Sequence, residues 1–534
     1  MFTMLSDLLS RPAPKDAVAL IDRNRIVTAD ALEEESRRVA QGLLELGVGE
    51  GDRVALWLPN VTAWLACLFA CARIGAIVVS VNTRFRSTEL QDILGRSGAR
   101  VLVFWPGFRG IDFEGILNDI DPASLHALSA IVAYTEGTEL LPTRIVGHAP
   151  VRYETLAEST PFTSDHGNPD SGVILFTTSG TTRAPKFVLH KQRAIAGHAG
   201  HVARAFGFEA ADARILLTIP LCGTFGLTAG LAALAAGRPL VMMPTFDARN
   251  AAELISRYAV THFPAAGDIV AQLLALSSEA RPYPSVRLVI GVRTGQAAPA
   301  QARGLRLVGV YGSSEVQAMV SRHSESATPE QRELGGGVLV AREARVRARD
   351  AASGGILPHG QNGELEFRMP SQMVGYFGDE DATRAATTED GYVRSGDLGY
   401  TVEGGGFVFL ARIGDALRLS GFLVNPLEIE AVLNEHPAIE TSQVVGVESA
   451  RGTEAVTFVV LKADAKLDER AVIAHCARRI ARFKVPARVF AVDAFPVTHS
   501  ANGTKIQKAK LREMAVRMMM SETENAGIYS SKTS

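Results

Sequence analysis

Segments of strand length and segments of helical length alternate along most of this chain, and that rhythm limits the fold more than any single motif does. Thr28 to Leu46 carries apolar residues at helical spacing with acids early. Gly47-Val-Gly-Glu-Gly51 then stops it, and Arg53-Val-Ala-Leu-Trp57 reads as a strand. Trp64 to Ile74 reads as a buried helix, Ala76 to Val81 as the next strand, Ser87-Thr-Glu-Leu-Gln91 as a capped helix start, and Val101-Leu-Val-Phe104 as a further strand. The pattern returns in Leu240 to Met243, Ala248 to Tyr258 and Arg287 to Ile290. Strand and helix alternating through short loops implies parallel sheets with helices on their faces. Past Ala411 the grain changes. Short strands at Val444 to Val447 and Val456 to Leu461 mix with a helix from Asp468 to Arg482, which suggests a compact α+β domain. Met518 to Ser534 is polar and patternless after its methionines and is expected to fray.

Composition removes several function classes. At 534 residues the chain is too long for one typical domain. Lys+Arg 55 against Asp+Glu 57 leaves a net charge of −2, which argues against a nucleic-acid binder with its basic surplus. Four cysteines in such a length suit a reducing, cytoplasmic setting rather than a disulfide framework. Cys67 and Cys71 stand one helical turn apart in an apolar segment and read as core. His198 and His201 have no third ligand at matching spacing, so no zinc site is expected. Met1 to Ser10 is too short and wrongly flanked for a signal peptide. Ile215 to Gly237 is uncharged and long enough to cross a bilayer. Its Pro220, Gly223, Gly226, Gly230 and Gly237 suit a buried strand, turn and helix better, and no membrane insertion is expected.

The chemistry gathers in a series of short motifs. Phe176-Thr-Thr-Ser-Gly-Thr-Thr-Arg-Ala-Pro-Lys186 leaves the apolar run Val173-Ile-Leu-Phe176. Hydroxyls and free N–H groups leaving a strand form a concave donor surface, whose usual guest is a nucleotide's phosphates. It is not the common P-loop, because Lys186 lies between Pro185 and Phe187. Alone, such a tract is also what an ordinary surface loop looks like. Further along come Gly295-Gln-Ala-Ala-Pro299, Tyr311-Gly-Ser-Ser-Glu315 after the strand Leu307 to Val310, Gly363-Glu-Leu365 and Gly375-Tyr376. Ser395-Gly-Asp397, Arg412-Ile-Gly-Asp415, Arg418, Gly421, Asn425-Pro-Leu-Glu-Ile-Glu430 and Asn502-Gly-Thr-Lys-Ile-Gln-Lys508 complete the series. A carboxylate such as Glu315 facing a phosphate loop needs a cation between them.

In order and spacing, from about Thr28 to Arg512, these motifs resemble the acyl-adenylate-forming superfamily of acyl-CoA synthetases, luciferase-like enzymes and peptide-synthetase adenylation domains. The resemblance implies an α/β fold. Residues 1–411 would form a large N-terminal domain of parallel and mixed sheets flanked by helices, with a small barrel-like subdomain. A hinge at 412–415 would join it to a small, mobile α+β C-terminal domain at 416–517, with 518–534 a flexible tail. The family's site carries over residue by residue. Thr177, Thr178, Ser179, Gly180, Thr181, Thr182 and Lys186 would meet the phosphates of ATP. Gly295, Gln296 and Ala297 would line the adenine, with Tyr311 against it and Gly312 and Ser314 beside it. Asp397 would accept both ribose hydroxyls, Arg412 would touch ribose and phosphate, and Glu315 would hold Mg²⁺. Lys505 would be the catalytic lysine, working with Glu315, Thr178 and Lys186; Lys508 and Lys510 nearby read as solvated. Asp415 would be the hinge, Arg418 and Gly421 the thiol face, and Cys222, Gly223, Ala265 and Gly267 the acyl pocket.

The implied reaction joins a small carboxylic acid to AMP with release of pyrophosphate, then passes the acyl group to a thiol. With no carrier-domain pattern in the chain, CoA is the expected acceptor. A carrier protein's phosphopantetheine is the alternative, and a non-catalytic acyl-adenylate-binding protein is the reading from another class. The oligomeric state stays open, a homodimer included, as does the choice among alkyl, alicyclic and aryl acids. Three features depart from the family. Arg183 stands where glycine is usual; Arg183→Gly should retain adenylation, read as pyrophosphate release, and its complete loss would overturn that reading. Gly223 replaces a common histidine, leaving either room for a bulkier acid or a packing accommodation. The segment from Pro299 to Tyr311 is short by about a helix, a loss that peripheral elements tolerate.

Overall fold

The computed structural model describes residues 2–10, 17–137, 141–177, 185–266, 268–292, 296–324, 326–328, 331–332, 335–351, 353–414, 417–419, 422–424, 426–449, 452–480, 482–500 and 503–530. Among them, an eight-stranded sheet runs Gly375–Tyr376, Phe187–Lys191, Gly172–Thr177, Ile77–Ser80, Arg53–Trp57, Ala99–Phe104, Ala130–Ala133, Val151–Arg152. From Gly172–Thr177 onward every neighbour is parallel, as the strand–helix rhythm requires. A second, thirteen-stranded sheet is parallel through Val18–Asp22, Leu240–Met242, Ile215–Leu217, His262–Ala266, Leu288–Val292 and Leu307–Ser313. It then turns antiparallel through Gln317–Arg322, Gly336–Leu339, Gly406–Arg412, Val393–Val402, Gly363–Arg368 and Arg345–Arg349. The expected barrel-like part is thus realised as a continuation of the parallel sheet, with Leu307–Ser313 as the seam.

Local chemistry sets the element ends. The helix Ala29–Glu45 starts where Thr28 Oγ1 accepts the Ala31 N–H at 3.1 Å. At Ser87–Ser97 the capping oxygen belongs to Glu89, whose carboxylate accepts the Arg86 N–H at 2.8 Å. The helices Thr62–Ile74 and Thr224–Ala235 are buried at every residue, which explains why neither shows an amphipathic pattern. Arg73, at 2% exposure, is held by Glu33 at 3.3 Å and Asp165 at 2.9 Å, the pairing that a buried cation needs. The uncharged stretch from Ile215 resolves into the strand Ile215–Leu217, a turn and the helix Thr224–Ala235. No helix among the described residues is long and apolar enough to cross a membrane.

Beyond Leu417 the buried side chains form clusters separate from the large core. Ile439–Ser449 and Gly452–Leu461 pair antiparallel, and Arg488–Ala491 adds in parallel. The helices Pro426–Asn434 and Glu469–Ala477 pack with them. A hairpin of Val497–Ser500 and Gly503–Ile506 precedes a final helix, Lys508–Ser530. That helix runs on through Met518, where the sequence reading ended regular structure. Alanines, methionines and glutamates are good helix formers, and no proline interrupts them.

Candidate active site

Parallel strands place their loops on one edge, and in open α/β sheets ligands bind outside the carboxyl ends of the strands. Gly172–Thr177 in the eight-stranded sheet, and His262–Ala266, Leu288–Val292 and Leu307–Ser313 in the thirteen-stranded one, each lead toward or carry one of the sequence motifs at the carboxyl end. Tyr311 lies in the last of these strands rather than after it. Its ring stacks on Phe367 at 5.1 Å and meets Phe407 at 5.1 Å and Phe409 at 5.5 Å. Gly312 follows because a Cβ there would sit 2.4 Å from the Ala318 Cα across the hairpin.

The residues expected to meet the ribose assemble across an antiparallel pair. Asp397 on Val393–Val402 is in register with Arg412 on Gly406–Arg412, so two residues far apart in sequence become neighbours. The Tyr311 hydroxyl donates to Asp397 Oδ2 at 2.5 Å, and Arg412 Nε lies 3.2 Å from Oδ1. Arg412 also donates to the Ser395 carbonyl at 2.7 Å, and the Asp397 N–H to Ser395 Oγ at 3.0 Å. Gly396 between them has φ +67, which L side chains rarely adopt. Burial, reinforced by the Asp397 charge, pushes the Tyr311 phenol well above its ordinary range, so it stays a donor. Asp397 is thereby a two-oxygen acceptor, 3% exposed.

Glu315 sits in the turn between Leu307–Ser313 and Gln317–Arg322. Its Oε1 accepts the Tyr376 hydroxyl at 3.0 Å, and its carbonyl accepts the Met373 N–H at 2.7 Å. The Lys186 ammonium lies 4.3 Å from the centre of the Tyr376 ring. Tyr376 is reached because Gly375–Tyr376 pairs with Phe187–Lys191, immediately after the phosphate loop. In the sequence, Gly375-Tyr376 has a place in the motif series and no role; in the structure Tyr376 is the link between Lys186 and Glu315. Burial, then the Glu315 charge, raise its phenol as well. A single carboxylate suits Mg²⁺, which keeps several waters and is held by one or two carboxylates plus substrate phosphates. Among the described residues no group of three or more His, Cys, Asp or Glu could hold a metal ion.

Two buried histidines support this turn from behind, and neither was singled out for that role by its sequence context. His190 Nε2–H donates to the Ser314 carbonyl at 2.7 Å and His198 Nε2–H to the Ala318 carbonyl at 2.7 Å. Burial pushes each imidazole down to about 4 from its ordinary 6.5. Each is neutral when folded, so the unfolded chain binds more protons between those values. Stability is therefore complete above about pH 6.5 and falls as the pH drops toward about 4. The expected result is a Tm that declines over that window, and less steeply in His198→Gln; an identical slope in the variant would refute the assignment.

The loop itself, with Thr178, Ser179, Gly180, Thr181, Thr182 and Arg183, lies outside the described residues. Its ends are fixed, because Thr177 pairs with Phe187 across the hairpin. Arg96 donates to the Pro185 carbonyl at 2.5 Å, with its guanidinium 4.6 Å from the Phe187 ring centre. Gln296 and Ala297 open the short helix Ala297–Ala302, whereas Gly295 lies outside the described residues. Cys222 and Ala265 are buried, and Ser80 Oγ donates to the Cys222 carbonyl at 2.5 Å. Gly223 precedes the helix Thr224–Ala235 at φ −103, a conformation open to any residue. Gly267, Asp415 and Gly421 lie outside the described residues, and the Arg418 backbone is in the strand Leu417–Leu419. The Lys505 backbone is in Gly503–Ile506, opposite Thr498. Lys508 is no solvated lysine: its side chain is 16% exposed and lies 3.1 Å from Glu430 Oε1.

Comparison with known proteins agrees with this arrangement. The AMP-binding enzyme family model matches residues 10–377, and the AMP-binding enzyme C-terminal domain model matches residues 428–502. The 3-[(3aS,4S,7aS)-7a-methyl-1,5-dioxo-octahydro-1H-inden-4-yl]propanoyl:CoA ligase of Mycobacterium tuberculosis is 32% identical over 537 residues, covering 96% of this chain and 100% of that protein. The human mitochondrial medium-chain acyl-CoA ligase ACSF2 is 29% identical over 544 residues, covering 96% of this chain and 87% of that protein. The crystal structure of ATP-bound MatB from Rhodopseudomonas palustris superposes with a TM-score of 0.83 at 23% identity, covering 96% of this chain and 99% of that one, which establishes the shared fold.

Proposed function

The chain belongs to the AMP-binding enzyme family, and from that premise we propose that it is an ATP-dependent acid–thiol ligase that makes an acyl-CoA. The observation that carries this reading is the meeting of two groups on the hairpin from Leu307 to Arg322. Asp397, Tyr311 and Arg412 form a cradle of the kind a nucleoside needs, and Glu315, Tyr376 and Lys186 face the end of the phosphate loop. A carboxylate oxygen of the acid attacks the α-phosphorus of ATP. A new C–O–P linkage forms, the α–β phosphoanhydride bond breaks, and pyrophosphate leaves. The thiolate of CoA then attacks the acyl carbon, and AMP departs with the oxygen it shared. Two anions must meet in the first step, so positive charge has to be fixed where theirs develops. Lys505 supplies it between the acid and the α-phosphate, and Lys186 on the departing phosphates. Mg²⁺ on Glu315 adds neutralising charge at the phosphates when bound. Asp397 orients the ribose and Tyr311 the adenine, so much of the rate comes from positioning.

The remaining features support finer assignments. Residues 1–411 act as the adenylating domain, and 416–517 swing about Asp415 to exchange the Lys505 face for the face of Arg418 and Gly421. Four buried free cysteines suit the reducing cytoplasm. Gly223 has a backbone conformation open to any residue, and one relative is named for a bicyclic propanoate. On that likeness a bulky alicyclic or aryl acid is assigned to the acyl site of Cys222, Gly223, Ala265 and Gly267.

The test is pyrophosphate release from Mg²⁺-ATP across linear, alicyclic and aryl acids, with and without CoA. Acid-dependent release that CoA accelerates is expected, fastest with bulky acids. Release indifferent to CoA would move the acceptor to a carrier protein. Nucleotide binding without release from any acid would make the chain a binding protein.

A further inference from the structure

Glu430 and Lys508 form an ion pair nearly closed to solvent, with side chains 6% and 16% exposed. Glu430 belongs to the helix Pro426–Asn434, and Lys508 opens the final helix, 78 residues later. Glu430 Oε1 accepts the Lys508 ammonium at 3.1 Å and the Val444 N–H at 2.9 Å, and the ammonium reaches the Val444 carbonyl at 3.5 Å. One carboxylate thus ties the start of the last helix to both a helix and the edge strand Ile439–Ser449. Leu511 and Ala515, both fully buried, continue the attachment one and two turns on. Upstream, Gln507 donates its N–H to the Pro496 carbonyl at 2.8 Å and its amide to Thr498 Oγ1 at 2.5 Å. Lys505 stands three residues before Lys508 on the strand Gly503–Ile506, so at most about 10 Å of backbone separates it from the anchor.

A lysine side chain is long and freely rotating, so the precision of its charge rests on the backbone that carries it. The bonds of Gln507 hold the hairpin to itself, whereas Glu430 holds it to the rest of the C-terminal unit. We propose that the Glu430–Lys508 pair is a positioning element for adenylation, fixing the hairpin that presents Lys505. This rests on the ligase reading above and adds a consequence that a merely structural pair lacks. Lys505 serves only the first half-reaction, and the thiol step uses the face around Gly421. Loosening the anchor therefore slows acyl-adenylate formation and spares transfer to CoA.

Two assays on the full-length protein separate the steps. One reads pyrophosphate release with the panel acid that gives the fastest rate, and the other reads acyl-CoA formation from that acid's synthetic adenylate and CoA. Glu430→Gln keeps the shape and the acceptor for Val444, and Lys508→Met removes the ammonium. Each should lower the kcat of pyrophosphate release by about tenfold or more, since small misplacements of reacting groups are costly. Thioester formation should stay within about twofold, Lys508→Arg should restore release, and the double variant should be no worse than the single ones. Parallel loss of both steps would show that the pair only holds the fold together, and loss of neither would show that it does not position Lys505; both overturn the proposal. Should Lys508→Met fail to fold, Glu430→Gln carries the test alone. A Lys505→Ala protein that adenylates normally would remove Lys505 from the mechanism and the proposal with it, whereas pyrophosphate release from no panel acid in the wild type would sink the ligase reading, whatever the pair does.

Discussion

Lys505→Ala is expected to lower the kcat for pyrophosphate release by about 10³-fold, the upper range for removing one preorganised donor from a charged transition state. The Km for ATP should change little, because the pair of Asp397 and Tyr311, proposed to hold the ribose and the adenine, is left intact. Attack of a carboxylate on a phosphate crowds like charges only as the new bond forms, so the ammonium acts mainly on the transition state. Transfer from a supplied acyl-adenylate to CoA should persist near the normal rate. That asymmetry is the sharp part of the prediction. Equal loss in both half-reactions would mean that Lys505 sustains the domain rather than the chemistry. An unchanged rate would leave the charge of the first step to the other cations at the phosphates, Lys186 among them, and remove Lys505 from the mechanism.

How far the residues announced this arrangement depends on the range of the interaction. Thr28 caps its helix through a bond three residues away, and the alternation of apolar runs with amphipathic ones fixes parallel pairing over short connections. Both are local, and both were legible. Asp397 and Arg412 were reached another way: each sits in a short motif placed by its resemblance to the acyl-adenylate-forming superfamily, and strand register makes the two neighbours. Tyr376, His190 and Glu430 were not legible as site or support residues. Their roles come from partners 61, 124 and 78 residues away, contacts that no periodicity records. Lys508 shows the same limit in reverse. A lysine in a polar stretch is normally solvated, and only the buried Glu430 opposite makes it an anchor. The final helix went unread past Met518 because it lacks an amphipathic stripe there, although its composition favours a helix.

Asp397→Ala should act on affinity where Lys505→Ala acts on turnover. Its side chain is 5% exposed, with the Tyr311 hydroxyl on one oxygen and Arg412 beside the other. Hydrogen bonds to a charged acceptor are worth about 1.5–3 kcal/mol each, so losing both ribose hydroxyl contacts costs about 3 kcal/mol or more, beyond 10²-fold in ATP affinity. The ribose does not change along the reaction, so the loss falls on ground and transition states alike and shows as a raised Km for ATP with kcat nearly kept. Arg412 is half exposed and can be rehydrated, so little of the effect should come from its lost partner. Tyr311→Phe removes only the donor that holds one carboxylate oxygen and should raise the Km about tenfold. Asp397→Asn is the informative control. It preserves volume, but its amide presents a donor where the site needs two acceptors, so it should fall close to the alanine variant rather than to wild type. Steady-state Km for ATP, with thermal melts to confirm that each variant folds, decides the matter. A fall in kcat at constant Km would move Asp397 from ribose binding to the reacting phosphate.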